Sequence, residues 1–308
     1  MRTLALIAVT LTFVVVVAGA YVRLSDAGLG CPDWPLCYGR PVPGGIAGGD
    51  ALARAWIEMG HRYLAGSLGI VIFLLAIVSW KTRQSPWLAS AILALVVFQA
   101  ALGMWTVTLL LKPAIVTSHL LGGMALLALL VWLALAQTPH APAPQLRAIR
   151  FPAALALAVL ALQIALGGWV SANYAALACP DLPLCHGKLV PDMDFANAFH
   201  VVRELGQGPD GAPLSREALT AIHWTHRVFA VAVVAAVAWA ALAARKALRG
   251  LGIAIGLLLL LQLSLGIANV ALGLPIALAA AHNALAALLL AALVVLNFFS
   301  YRGLRPSW

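Results

Sequence analysis

The sequence predicts an all-α integral membrane protein, with eight transmembrane helices arranged as two pseudo-symmetric four-helix bundles. Three observations carry this reading. Of the 308 residues, 63% are hydrophobic and 9% charged, whereas soluble domains hold about 45–50% apolar and about 25% charged residues. Eight apolar stretches each reach the roughly 20 residues that cross a bilayer. The motifs of the first half recur, in order, in the second. This composition excludes a soluble enzyme and a disordered chain. The net charge of +9 does not call for nucleic acid, because the basic residues find their place in membrane topology.

The spans run at roughly 4–22, 59–80, 88–111 and 115–136 in the first half, and at 151–171, 219–243, 251–271 and 277–299 in the second. Met1-Arg2 ahead of an apolar run is also how a signal peptide begins. This run is longer than a signal h-region and leads into a loop motif repeated later, so it is read as a span. A Pro- and Ala-rich segment from Thr138 to Gln145 divides the repeats. The expected units are a first bundle over 1–137, a linker over 138–150 and a second bundle over 151–308.

Charge sets the orientation. With the N-terminus inside, the inner segments carry Arg2, Lys81, Arg83, Arg147, Arg150, Arg245, Lys246, Arg249, Arg302 and Arg305, and no acidic residue. Every Asp and Glu falls in an outer loop or at an outer helix end. The positive-inside rule favours this topology, with both termini cytoplasmic and two long loops, roughly 23–58 and 172–218, outside. A bacterial inner membrane is the expected location.

The repeat is a tandem duplication. Cys31-Pro32-Asp33-Trp34-Pro35-Leu36-Cys37-Tyr38-Gly39 aligns with Cys179-Pro180-Asp181-Leu182-Pro183-Leu184-Cys185-His186-Gly187, at an offset of 148. Gly19 aligns with Gly167 at the same offset. His61-Arg62 aligns with His226-Arg227, so the second outer loop is 17 residues longer. Gln99, Gly103 and His119 align with Gln262, Gly266 and His282. Four spans per half is an even number, so both halves enter the membrane in the same direction, related by an axis along the membrane normal.

Ionisable residues inside spans are costly and usually functional. His61, His119, His226 and His282 occupy repeat-equivalent positions on the second, fourth, sixth and eighth spans, near their outer ends. Two histidines per bundle on facing helices suit bis-imidazole ligation of a heme iron. Zinc would need further ligands, and Glu58 is the one carboxylate placed to complete such a set in the first half.

Arg62 and Arg227 follow their histidines and point about 100° away around the helix. They can meet heme propionates in bidentate fashion or reach along the helix to the interface. Glu58 shares a helix face with His61, while the aligned residue before His226 is His223. That asymmetry suggests that one half does chemistry and the other only holds a cofactor; a glutamate favoured by the helix dipole is the plainer alternative. Cys31 and Cys37 bracket two prolines, as do Cys179 and Cys185, so a disulfide within each loop is the plain reading.

On these residues the sequence resembles the heme A synthase family of cytochrome-oxidase assembly. The likeness is carried by the run from Tyr21 to Cys37, by Glu58-Met59-Gly60-His61-Arg62, Ser118-His119, Thr225-His226-Arg227 and Ala281-His282-Asn283. The resemblance implies oxidation of the C8 methyl of heme O to a formyl group, through a hydroxymethyl intermediate, with water as the oxygen source. It implies heme b as cofactor on His226 and His282, and heme O as substrate between His61 and His119 with Glu58 as the acidic residue. It further implies a link between Cys31, Cys37 and activity, and a structural disulfide at Cys179 and Cys185. Expected partners are the lipid bilayer, heme O synthase, an electron acceptor such as quinone, and a second copy of the chain. The competing function is a diheme b-type electron-transfer protein linked to quinone, which shares the histidines but has no need of Glu58. A transporter with parallel repeats is disfavoured, since no helix shows a Gly/Pro break near mid-membrane in both halves.

Overall fold

The computed structural model describes residues 1–44, 48–208 and 210–306. Gly45, Ile46, Ala47 and Pro209, in the two expected outer loops, and Ser307 and Trp308, at the end of the expected second bundle, lie outside the described residues. So does the side chain of Arg305, one of the basic residues assigned to the inner segments.

Among the described residues, eight helices are long and apolar enough to cross a membrane. In the first half they are α1 (Arg2–Leu24), α2 (Asp50–Thr82), α3 (Pro86–Thr108) and α4 (Pro113–Ala136). A short helix α6 (Phe195–Ala198) lies in the second long loop, between α5 (Arg150–Ala172) and α7 (Arg216–Arg245). The chain then continues through α8 (Arg249–Ala271) and α9 (Ile276–Arg302).

Two span limits need correction. The second span was expected from residue 59, but α2 starts at Asp50, because its first turns carry Asp50, Arg54 and Glu58. They are too polar for an apolar stretch yet fully helical. The third span was expected to reach residue 111, but α3 stops at Thr108. Leu110 and Leu111 are left-handed, with φ of 50° and 58°, and Leu111 N–H closes the helix end on the Thr106 carbonyl at 2.8 Å. Pro113 opens α4 and pushes the residue before it out of the helical region. The same closure recurs after α8, where Leu274 N–H meets the Asn269 carbonyl at 2.7 Å ahead of Pro275.

The helix neighbours describe the symmetry. In the first half α1 packs on α2 and α4, and α3 bridges α2 and α4. In the second, α5 packs on α7 and α9, and α8 bridges α7 and α9. Between the halves α1 meets α9, α4 meets α5, and α4 meets α9. Exchanging the halves turns the first of these contacts into the second and leaves the third unchanged, as a pseudo-twofold requires. At the cysteine-loop end, Arg23 Nη2 donates to the Ser171 carbonyl at 2.8 Å, and the Tyr174 hydroxyl donates to Asp26 at 3.1 Å. Each of these pairs joins two repeat-equivalent positions, and equivalent positions touch only where the axis passes.

Small residues let the central helices approach closely. Ala153 and Ala156 of α5, Ala240 and Ala244 of α7 and Ala287 of α9 are buried together with Leu160, Leu289 and Leu293. Burial follows position: 56% of the α9 apolar window is inside the protein against 17% for α8, so α9 is the central post and α8 the lipid-facing edge. At the end carrying the termini, strand β1 (His140–Pro142) pairs antiparallel with β2 (Leu304–Pro306), tying the linker to the chain's end. Three-residue strands leave no periodic trace, and sequence reasoning did not foresee them. At the other end, the longer loop forms a strap. Buried Arg203 donates to the Asn197 carbonyl at 2.6 Å and to Asn173 Oδ1 at 2.5 Å, and Glu204 pairs with Lys112 of the first half at 2.8 Å.

Candidate functional site

Each histidine of the four sits on a helix that faces a glycine on its neighbour. An added Cβ on Gly19 of α1 would lie 3.0 Å from the His61 ring, and one on Gly103 of α3 would lie 3.4 Å from His119. In the second half the distances are 3.1 Å from Gly167 to His226 and 3.2 Å from Gly266 to His282. A helix glycine costs about 1 kcal/mol relative to alanine. Four in register therefore mark a packing need: a notch that seats a flat imidazole.

His61 and His119 ride on α2 and α4 of the first half, and His226 and His282 on α7 and α9 of the second. Nδ1 of every one of the four rings is buried without a hydrogen-bond partner, where an unsatisfied polar atom costs about 1–3 kcal/mol. Among the described residues no group of three His, Cys, Asp or Glu could hold a metal ion, which leaves zinc without its ligand set. Paired imidazoles with glycine seats and no third ligand do fit a heme.

The cysteine loops are built alike. Disulfides join Cys31 to Cys37 and Cys179 to Cys185, each with Cα atoms 4.8 Å apart. The chain reverses at Tyr38-Gly39 and His186-Gly187, where φ is positive at all four residues, as a two-residue hairpin turn demands. Asp33 accepts from the N–H groups of Tyr38 at 2.6 Å and Gly39 at 2.9 Å, and Asp181 accepts from His186 and Gly187 at 2.7 and 2.8 Å. The Gly39 N–H foremost holds the Asp33 carboxyl below the usual carboxylate range, and the Gly187 N–H does the same for Asp181. A lowered carboxyl pKa gives support that is present above the unfolded value and lost as pH falls through the folded one. Both turns should therefore stay formed down to about pH 4. Hydrogen exchange of the Gly39 and Gly187 amides at decreasing pH checks this.

Glu58 and His223 hold these loops to their helices. Glu58 is buried; its Oε2 accepts from the Cys31 N–H at 2.8 Å and its Oε1 from Arg62 at 2.5 Å. In the second half the Cys179 N–H points at His223 Nδ1 at 3.2 Å, and Arg227 Nε–H points at His223 Nε2 at 3.2 Å. A carboxylate accepts both donors, but a neutral imidazole has a single acceptor nitrogen, so His223 satisfies only one at a time. The first loop is thus the more firmly clamped.

Arg62 reaches the carbonyls of Asp33 at 2.9 Å and Leu36 at 2.7 Å. Arg227 reaches those of Asp181 at 2.8 Å, Leu184 at 3.1 Å and Cys179. Both arginines, read from sequence as propionate or interface residues, are engaged with the loops. Gly30 lets the first loop lie on α2, since a Cβ there would meet the backbone of Arg54 at 2.7 Å. Gly30→Ala is expected to destabilise the protein by about 1–3 kcal/mol, read as a lower thermal midpoint in detergent. The glycine seats, the aspartate-capped turns and the loop-anchoring role of Glu58 were missed from sequence. Their positions were all visible in the repeat alignment, but their partners were not.

A family model described as cytochrome oxidase assembly protein matches residues 2–294. A heme A synthase of Shewanella oneidensis is 42% identical over 95% of this chain and 94% of that protein. One from Rhizorhabdus wittichii is 31% identical over 94% and 90%, and one from Caulobacter vibrioides is 29% identical over 97% and 95%.

Proposed function

The chain belongs to the cytochrome oxidase assembly protein family, and on that premise we propose that it converts heme O to heme A in the membrane. The reaction takes the C8 methyl to a formyl group through a hydroxymethyl intermediate, with water as the oxygen source. The single observation that carries this reading is the pair of equivalent two-histidine pockets, each ring seated on a glycine, with a carboxylate beside the first and an imidazole beside the second. A diheme electron-transfer protein is not favoured, since the full-length relatives are heme A synthases.

In this proposal His61 and His119 orient the substrate heme O, and His226 and His282 hold heme b. When bound, heme b supplies a one-electron acceptor beside the substrate half. Oxidising a methyl to a formyl group with water releases four electrons and four protons. Glu58 is the side chain positioned to take up a proton or orient water near His61. Arg62 and Arg227 act through the loops, holding Glu58 and the cysteine turns in place. Residues 1–137 form the substrate bundle, 138–150 the linker and 151–308 the cofactor bundle.

Both termini are assigned to the cytoplasm of a bacterial inner membrane, with the cysteine loops outside, on the basic character of the terminal face. A quinone-type carrier as onward acceptor, heme O synthase as donor of substrate and self-association complete the proposed setting. The test is pigment analysis of membranes that also contain a heme O source. Wild type should yield heme A and Glu58→Ala little or none. Wild-type membranes that leave heme O unchanged would refute the assignment.

The glycine seats give a further expectation. Gly167→Val should displace the His226 ring and lower bound heme b at least about tenfold, while helicity by circular dichroism is kept. The heme spectrum of the purified variant reads this directly.

A further inference from the structure

The four spans that face a histidine share a pattern, with one exception. Gln99, Gln163 and Gln262 each stand four residues, one helical turn, before the glycine that seats a ring: Gly103, Gly167 and Gly266. On α1 the place before Gly19 is taken by Val15. Residues four apart share a helix face, so Val15 lies beside His61 as Gln163 lies beside His226.

The glutamines of the second half address their histidines. Gln163 Nε2 is 3.4 Å from His226 Nε2 and donates to the His226 carbonyl at 3.0 Å; Gln262 Nε2 is 3.2 Å from His282 Nε2. Both glutamine Oε1 atoms are buried without a partner. In the first half neither contact exists. Val15 has no amide, and Gln99 folds onto α4 over Gly122, where even a Cβ would collide with its amide. The residue equivalent to Gly122 is Leu285, which carries a side chain where Gly122 has none, and Gln262 is directed at His282. Two separate sequence differences thus have one result: no glutamine amide faces either histidine of the first pocket, and the second presents two.

Resting on the function proposed above, we infer that these positions sort the two hemes. Heme O differs from heme b by a long apolar isoprenoid substituent in place of a short vinyl group. Burying an amide against hydrocarbon without a partner is unfavourable. Gln163 and Gln262 therefore make the second pocket select the heme with short substituents. Val15, with Gln99 stowed over Gly122, opens the first pocket to the heme with the long tail.

The test is spectroscopic titration of the purified full-length protein, stripped of heme, with heme b and heme O separately, read in the Soret band. Variants in His61→Ala/His119→Ala and His226→Ala/His282→Ala backgrounds isolate each pocket. Gln163→Val with Gln262→Leu should reduce the second pocket's preference for heme b over heme O about tenfold. Val15→Gln should weaken heme O binding in the first pocket about tenfold and leave heme b in the second unchanged. Gly122→Leu should act like Val15→Gln by driving the Gln99 amide from its stowed position. Preferences within twofold of the parent in all three variants, with heme still bound, overturn the sorting role. A parent first pocket that takes up no heme O overturns the proposed function itself, and the sorting role with it. A parent that binds heme O while the swaps have no effect removes the sorting role alone.

Discussion

His226→Ala and His282→Ala should each abolish tightly bound heme b, whereas His61→Ala and His119→Ala should leave it bound and abolish heme A formation. The expectation rests on two separate pockets, each with one histidine on α2 or α7 and one on α4 or α9, and each ring seated on its own glycine. Removing one imidazole would take away one of the two histidines proposed to hold the heme of that half, while the histidines of the other half stay in place. The change should exceed tenfold in each case, since the bis-imidazole spectrum requires both rings. Absorption spectra of the purified variants and extracted pigments from their membranes provide the two readouts. Retention of a full bis-histidine heme b spectrum by both His226→Ala and His282→Ala would falsify the assignment of cofactor to the second half.

The second large effect concerns Glu58. Glu58→Gln should retain heme b yet make at least tenfold less heme A, with the hydroxymethyl intermediate accumulating, while His223→Gln should be far less affected. The structure sharpens this comparison, because Glu58 and His223 do the same mechanical work. Each meets the backbone N–H of the first cysteine of its loop and the arginine four residues on. Glutamine at position 58 can still accept from the Cys31 N–H, but it removes the negative charge opposite Arg62. That leaves a partly buried guanidinium without its counter-ion, at a cost of about 1–3 kcal/mol.

A loss of activity could therefore arise from a loosened loop. Alkylation after mild reductant separates the two causes. If the Cys31–Cys37 disulfide stays as protected in Glu58→Gln as in wild type, the carboxylate acts on the substrate. Exposure of the disulfide in step with lost activity would make Glu58 a loop anchor only.

The eight spans, their common direction in the two halves and the repeat-equivalent placing of four histidines on them were legible in the sequence. Each depends on local composition or on the spacing of a duplicated segment. An apolar run of about 20 residues has few options other than a helix, and a repeat with an even number of spans has one orientation. The disulfides were legible too, because a six-residue separation with two prolines leaves a thiol few other partners. The helix ends at Thr108 and Asp50 were not. A run of leucines reads as helix until Pro113 forces the turn, and polar turns beyond the apolar stretch carry no hydropathy signal.

Tertiary structure alone decided what each conserved-looking letter of the repeat touches. Glu58 reads from sequence as a candidate acid; its distance from Cys31 along the chain hides that its two oxygens already hold the loop and Arg62. Arg62 and Arg227 were open between propionates and the interface, and the folded loops brought a third set of acceptors, their own carbonyls. Gln99 and Gln262 are the same residue at the same place in the repeat. They face different ways: Gln99 lies over Gly122 of α4, whose repeat equivalent on α9 is Leu285, and Gln262 turns to His282. Local sequence sets which helix a residue rides on and at what depth; where its side chain goes is set by the volume left by the helix across from it, and that volume exists only once the helices are packed.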